Sequence, residues 1–346
     1  MVIPVAGAHT ATKPPARKRR PRGRFVIAAV CFALFVGLIA GGYSVLHQSP
    51  PQFMIYDGNV PGQAGATADL EFAHAAGINE VDNYSFINAS TQGEDAYLAL
   101  AQKLHVKVIV SLSDLIGNTP ALLVSQSIDQ NAADLQAHSR FGQTHAQQIA
   151  GIIHRFGNNP AVWGWYITDE LPAGPKNPDG VNMWLPALRQ IYAEVSSLSH
   201  KPILGVFSNN PTGFYKAVDV NPNFQLGADY YCFPDTVPQT YGSCTAIPGI
   251  QRAVVHVAGK NAWFIVQGMS WNTEGGHAAW NFPVNSPAPT AYWMASVMEN
   301  AMANGVHNIG IYMYSDAAQT PGQLARIKIA VAEAKAWWNS QHPFGL

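Results

Sequence analysis

The feature that most constrains this chain is a repeated alternation between short, almost unbroken apolar runs and longer stretches with helical spacing. VKVIVSL at 106–112 and WFIVQ at 263–267 are runs of the first kind. A strand with one wet face alternates polar and apolar residues, whereas a strand apolar on both faces belongs to a parallel sheet covered by helices. The pattern predicts strands at 53–56, 78–81, 106–112, 162–168, 203–207, 228–232, 262–267 and 308–314. Helical patterns lie between them, at 67–76, 95–104, 132–156, 181–198, 211–217, 250–258 and 290–304, and a last helix at 321–339 closes the series. Eight strand–helix units predict an α/β fold of the (β/α)8 TIM-barrel type over residues 53–346. An open, doubly wound sheet is the alternative, but no Gly-rich dinucleotide turn follows the first strand.

Charge placement sets the organisation ahead of that barrel. The formal net charge of the 346 residues is −1, yet seven of the 20 basic residues precede residue 25 and no acid precedes Asp57. The remainder therefore carries 13 Lys and Arg against 21 Asp and Glu, a balance that does not attract nucleic acid. The basic cluster abuts FVIAAVCFALFVGLIAGGYSVL, 25–46, which has no charged residue. About 20 apolar residues span a bilayer as a helix, and flanking Lys and Arg stay on the cytoplasmic side. The sequence predicts a basic cytoplasmic tail (1–24), one transmembrane helix (25–46), a linker (47–52) and an extracytoplasmic barrel. A cleaved secretory signal is the alternative, with Ala40-Gly41-Gly42 as the processing point, but such signals have apolar stretches of roughly 7–15 residues. Cys31 reads as a plain apolar helix residue. Cys232 and Cys244 are predicted to form a disulfide, which an extracytoplasmic location permits.

The acids gather where strands end. Asp57, Asp82, Asp114, Asp169-Glu170, Asp235 and Asp316 each follow a predicted strand or sit at its tip, the end where barrels build their sites. For Asp57, Asp82 and Asp114 the plain reading is a helix cap or an Asx-turn. Asp169-Glu170 differs, because Pro172 follows and the next helical pattern begins only near Val181. A Glu beside Trp and Tyr is suited to general-acid work, since apolar surroundings disfavour the carboxylate and keep the proton available for a leaving oxygen.

The segment NPAVWGWYITDELP, 159–172, resembles the fourth strand of clan A-type glycoside hydrolase barrels, and more closely the bacterial glycosidase-like barrels with a GWYxxDE(x)P motif. AGINEV at 76–81, ADYYCFP at 228–234 and Pro289-Thr290 followed by 301–314 resemble the second, sixth and eighth strands of the same barrels. The resemblance implies a glycosidase in which Glu170 is the general acid/base and Asp169 touches the hydroxyl beside the reacting carbon. It also implies a nucleophilic Glu at the end of the seventh strand, where this chain has Gln267. An amide neither attacks as a carboxylate nor carries negative charge opposite an oxocarbenium-like centre. Glu274, Asp235 and Asp316 are the candidates for a second carboxylate, and Gln267 is assigned a hydrogen bond to substrate.

Aromatic residues extend the prediction. Trp271, Trp280, Tyr231 and Tyr314 fall near the inferred rim and are candidates for stacking on the C–H faces of sugars; packing of the long loop on itself is the alternative. Trp163, Trp165 and Trp263 lie inside strands and read as structural. Asn83-Tyr84-Ser85 and Asn88-Ala89-Ser90 fit the N-glycosylation pattern. None of the 12 His forms an H-x-H or H-E-x-x-H pattern, and there is no G-x-S-x-G elbow or Walker loop, so no metal and no cofactor is expected. The expected partner is carbohydrate, either hydrolysed or, in the alternative, bound at the cell surface by a non-catalytic barrel.

Overall fold

The computed structural model describes residues 49–63, 65–116, 145–168, 185–208, 224–231, 244–270 and 288–343. Eight strands close into a barrel in chain order: β1 (Gln52–Asp57), β2 (Glu80–Asn83), β3 (Lys107–Ser111), β4 (Val162–Thr168), β5 (Ile203–Ser208), β6 (Phe224–Asp229), β7 (Ala262–Gln267) and β8 (Asn308–Tyr312). Each neighbouring pair is parallel, including β8 with β1. The described helices outside it are α1 (Ala68–Ala76), α2 (Thr91–Leu104), α3 (His145–Phe156), α4 (Leu185–Leu198), α5 (Ile247–Ala258), α6 (Ala291–Ala303), α7 (Tyr314–Gln319) and α8 (Gln323–Gln341). The predicted segment 25–46 lies outside the described residues, and among those described no helix is long and apolar enough to cross a membrane.

Local signals explain the element ends. The Ser90 side chain accepts a hydrogen bond from the Gly93 N–H and Thr290 accepts one from Trp293, which starts α2 and α6. At the end of α1, Gly77 takes the left-handed conformation (φ 70°) and Ile78 N–H returns to the Ala73 carbonyl at 2.8 Å. Ile78 thus belongs to the helix exit, and β2 begins at Glu80 rather than at the predicted position 78. β6 also starts earlier than predicted. Its segment FQLGAD puts Gln225, Gly227 and Asp229 on the barrel interior, so it lacks the continuous apolar signature, while the predicted YYC follows the strand.

Side chains leave each strand on two sides. Outward residues such as Phe53, Ile55, Val81, Val108, Val110, Trp165 and Phe264 join the helices in one continuous core. Inward residues fill the barrel in layers supplied by alternate strands, as the stagger of an eight-stranded barrel requires. Odd strands supply Met54, Ile109, Leu204 and Trp263, and two residues further on Tyr56, Ser111, Val206 and Ile265. Even strands supply the layer between, Asp82, Tyr166, Gly227 and Gly310. The small residues make room for the large ones: a Cβ on Gly310 would lie 3.0 Å from Met54 Cε and 3.3 Å from Tyr56 Cε2. Trp165 and Trp263 are fully buried, as structural residues should be.

β4 carries the motif segment, and its register against β3 shifts between Val108 and Ile109. Gly164 follows this irregularity, and a Cβ there would overlap the backbone carbonyl oxygen of Pro202. A backbone atom in a parallel ladder cannot move aside cheaply, so Gly164→Ala is expected to cost about 1–3 kcal/mol of stability. Urea unfolding followed by circular dichroism measures it.

Candidate functional site: the barrel mouth

Above the last apolar layer the even strands supply Tyr84, just past β2, together with Asp229 and Tyr312. The next step of the odd strands brings Ser113 and Gln267. This is the C-terminal end of the strands, and its chemistry changes abruptly from aliphatic to aromatic and polar. Five tyrosines converge there. Tyr56 stacks on Tyr84 with ring centroids 5.3 Å apart, and Tyr166 meets both edge-on at 5.9 and 5.6 Å. Tyr312 lies 5.8 Å from Tyr56 and 5.8 Å from Tyr231. Tyr56 and Tyr166 are buried beneath, while Tyr84, Tyr231 and Tyr312 are half-exposed at the rim.

Polar groups among these rings are held ready for a ligand. Gln267 is buried; its Nε2 donates to the Met269 carbonyl at 3.2 Å, and its Oε1 has no donor. Thr168 Oγ1 is also buried without a partner, but the register shift before it turns it to the helix side, against Gly205 and Phe224. Ser111 and Ser113 hydroxyls pair at 2.8 Å. A buried acceptor left without a donor costs about 1–3 kcal/mol, so Gln267 Oε1 marks a place where a hydroxyl or N–H group of a ligand would be bound.

The predicted site residues divide accordingly. Gln267 and Tyr231 lie at the mouth. Tyr314 does not: β8 ends at Tyr312, α7 begins at Tyr314, and this ring is buried in the outer core, 5.5 Å from Phe72. The interior position falls to Tyr312 instead. Asp316 is buried on α7, off the barrel wall, and burial pushes its carboxyl up to about 6. Asp169, Glu170, Asp235, Glu274, Trp271 and Trp280 lie outside the described residues, as does Cys232. Cys244 is disulfide-bonded, to a partner outside the described residues. Sequence reasoning missed Tyr56, Tyr84, Tyr166 and Asp229, although counting every second residue along each strand finds them. Among the described residues no three His, Cys, Asp or Glu side chains cluster as metal ligands.

Behind the mouth, on the helix side of β1 and β2, lies an acid pair. Asp57 Oδ1 accepts from Asn59 Nδ2 at 2.8 Å and Oδ2 from Asn59 N–H at 3.1 Å, an Asx-turn of the expected kind. The same carboxyl also faces Asp69 of α1, a contact that the capping reading did not foresee. Asp69 accepts from the Leu70 N–H at 2.7 Å and from the Tyr97 hydroxyl, and Asn83 donates to Tyr97 at 3.3 Å. Burial first, and the neighbouring Asp69 second, push the Asp57 carboxyl up to about 8, so it holds the proton and gives it to Asp69. Asn83 is fully buried in this network, which closes its predicted glycosylation pattern to a transferase, while Asn88 is exposed.

No family model and no curated protein matches the sequence. Solved structures do match in fold. A chitinase from Bacteroides thetaiotaomicron superposes with a TM-score of 0.52 at 11% identity, over 83% of this chain and 97% of its own. A GH113 β-1,4-mannanase superposes with a TM-score of 0.52 at 14% identity, over 85% of this chain and 100% of its own. The likeness is one of fold: a closed eight-stranded parallel barrel.

The acid pair has a consequence for stability. A carboxyl raised from 3.8 in the unfolded chain to about 8 in the folded one binds more protons folded than unfolded throughout that interval. Stability present near pH 4 is therefore lost as pH rises towards 8, and Glu80, pushed to about 8 by burial at the barrel floor, adds to the trend. Asp57→Asn keeps a hydrogen-bond donor towards Asp69 without the titration. It should flatten the decline by up to about 1.4 kcal/mol per pH unit for one proton. Urea midpoints between pH 5 and 8 test this, and an unchanged slope would refute it.

Proposed function

We propose that this chain is a glycoside hydrolase-like barrel, anchored by 25–46 and facing the outside of the cell, that hydrolyses glycosidic bonds in a polysaccharide or glycoconjugate. The observation that carries the reading is the mouth itself, where tyrosine faces and the buried, unpaired Gln267 oxygen converge at the C-terminal end of a glycosidase-like barrel. Sugars present apolar C–H faces and a ring of hydroxyl donors, and the mouth offers a surface for each. In the sequence Glu170 follows β4, two residues after its last residue Thr168. In this reading Glu170 protonates the departing oxygen, Asp169 holds the neighbouring hydroxyl, and Gln267 Oε1 accepts from a sugar O–H. Trp271, Trp280 and Tyr231 would extend the binding surface. Glu274 and Asp235 remain candidate carboxylates. The uncharged 25–46 run behind a basic tail and the disulfide at Cys244 both support an extracytoplasmic barrel, since disulfides persist in oxidising compartments.

Gln267 favours a second reading. Its amide lacks the charge that a glycosyl cation needs opposite it, so a barrel without another carboxylate in reach would bind glycan and not cleave it. The full-length protein in detergent micelles, incubated with labelled β-1,4-linked glucose, mannose and N-acetylglucosamine oligosaccharides, separates the two. Hydrolysis that falls about 10²–10⁴-fold in Glu170→Gln with binding retained supports catalysis. Equal product from native protein and variant would remove Glu170 from the role, and binding without product from either would establish the second reading. Tyr84→Ala and Tyr312→Ala should each weaken binding about 2- to 10-fold, from the roughly 0.5–1.5 kcal/mol of a ring contact.

A further inference from the structure

One side chain outside the barrel holds the backbone that carries the mouth's free acceptor. Gln323, in the first turn of α8, is fully buried. Its Nε2 donates to the Gly268 carbonyl at 2.8 Å and to the Pro289 carbonyl at 3.2 Å, while its Oε1 accepts from Arg326 Nη1 at 3.3 Å. An amide NH2 has two hydrogens, so both are used, and the guanidinium fixes which end of the amide faces the carbonyls. Gly268 directly follows Gln267 at the exit of β7, and Pro289 directly precedes Thr290, the cap of α6. The tie therefore joins the end of β7 and the start of α6 to the start of α8. Gly268 is held on its other side as well. Its N–H donates to the Tyr312 carbonyl at 2.5 Å, and a Cβ in its place would lie 2.6 Å from Ile311 Cγ2, so the turn is pressed against β8.

We propose that Gln323 is a positioning residue of the mouth, holding the Gly268 carbonyl so that Gln267 Oε1 stays turned towards a ligand hydroxyl. The inference rests on the reading of the mouth as a glycan-binding surface and is indifferent to whether the glycan is cleaved. Gln267 Nε2 donates to the Met269 carbonyl, one residue beyond Gly268, and its Oε1 is buried with no donor. The amide keeps that orientation only while the Met269 carbonyl stays within reach of Nε2, because the opposite orientation sets two oxygens against each other. Tyr312 fixes the peptide plane before Gly268, and Gln323 fixes the plane after it. Gly268 has no side chain to resist rotation, so the donor on its carbonyl is what holds that second plane. Without the Gln323 amide the Gly268 carbonyl is left buried and unpaired, a state that backbone rotation relieves. The Met269 carbonyl swings with it, Gln267 Nε2 loses its acceptor, and the mouth loses a fixed site for a hydroxyl. Gln323 never meets the ligand; it acts through Gln267.

The test reads Kd for the same oligosaccharides by calorimetry, on the full-length native protein, Gln267→Met, Gln323→Met and the double variant, with a urea midpoint for each. Methionine keeps the length of glutamine and removes its hydrogen bonds. Gln267→Met is expected to weaken binding about 2- to 10-fold, the value of one hydrogen bond. Gln323→Met is expected to weaken it by a similar factor, and the double variant to bind no more weakly than Gln267→Met. A lower urea midpoint in Gln323→Met with Kd within about 1.5-fold of native makes the tie purely structural and overturns the inference. So does a double variant whose loss is the product of the two single losses. Should Gln323→Met not fold, Arg326→Met removes the bond that orients the Gln323 amide from the surface. Weaker binding from Arg326→Met that vanishes in the Gln267→Met background supports the inference, and an unchanged Kd overturns it. Native protein that binds none of the sugars removes the glycan reading. Side-chain amide exchange of Gln267, identified as the 15N-glutamine signal pair absent from Gln267→Met, then decides the positioning role. Exchange about tenfold faster in Gln323→Met or Arg326→Met upholds it, and equal exchange overturns it.

Discussion

Closure of the eight strands fixes almost everything else in this molecule. A closed, staggered barrel has one interior volume, and alternate strands must fill it in turn, so each inward residue is constrained by neighbours two strands away as well as by those beside it. That is why Gly227 and Gly310 share a layer with Asp82 and Tyr166. Two of the four positions at that height are left without a side chain, because a Cβ on Gly310 would press on Ile265, Met54 and Tyr56 and one on Gly227 would press on Val206. The same rule sends the final layers to the mouth, where aliphatic packing is no longer needed and tyrosine, aspartate and glutamine take over.

The mouth is held from behind as much as from within. Tyr56 immediately precedes Asp57, and Tyr84 immediately follows Asn83, so the two stacked rings share their backbone with the buried acid network on the opposite face of the strands. Tyr84 N–H donates to the Asp57 carbonyl at 2.9 Å, and the Ser85 hydroxyl donates to the Gly58 carbonyl at 2.7 Å. A carboxyl pair with no cation in hydrogen-bond contact is an unusual support. It holds because one partner keeps its proton, which turns repulsion between two acids into a hydrogen bond, and because the Tyr97 hydroxyl stabilises the ionised one. The contacts that fix the stacked Tyr56 and Tyr84 rings in place are therefore tied to the protonation state of a buried acid pair behind them.

The barrel was legible in the sequence wherever both faces of a strand are apolar. β4 and β7 have the predicted limits because VWGWYIT and AWFIVQ are greasy throughout. Legibility failed at β2 and β6, whose inward faces carry Glu80 and Asp82, and Gln225, Gly227 and Asp229. Charged and small residues there reflect the special interior of a barrel end, and a reading that looks for apolar runs slides past them to the nearest hydrophobic cluster. Tyr314 failed for a related reason: the predicted strand ran two residues too far, across the point where the chain leaves β8 for α7. The acid pair was illegible in principle, because Asp57, Asp69 and Tyr97 meet only through the packing of α1 and α2 against β1 and β2.

Gln267 keeps the end of β7 uncharged. Judged against the motif resemblance, an amide there is a defect that points to a barrel which has lost its chemistry. Judged against the layers, it is a buried acceptor in a mouth lined by tyrosines. Two carboxylates side by side at such a place would repel and hold a proton between them, as Asp57 and Asp69 do on the other face of the same barrel wall.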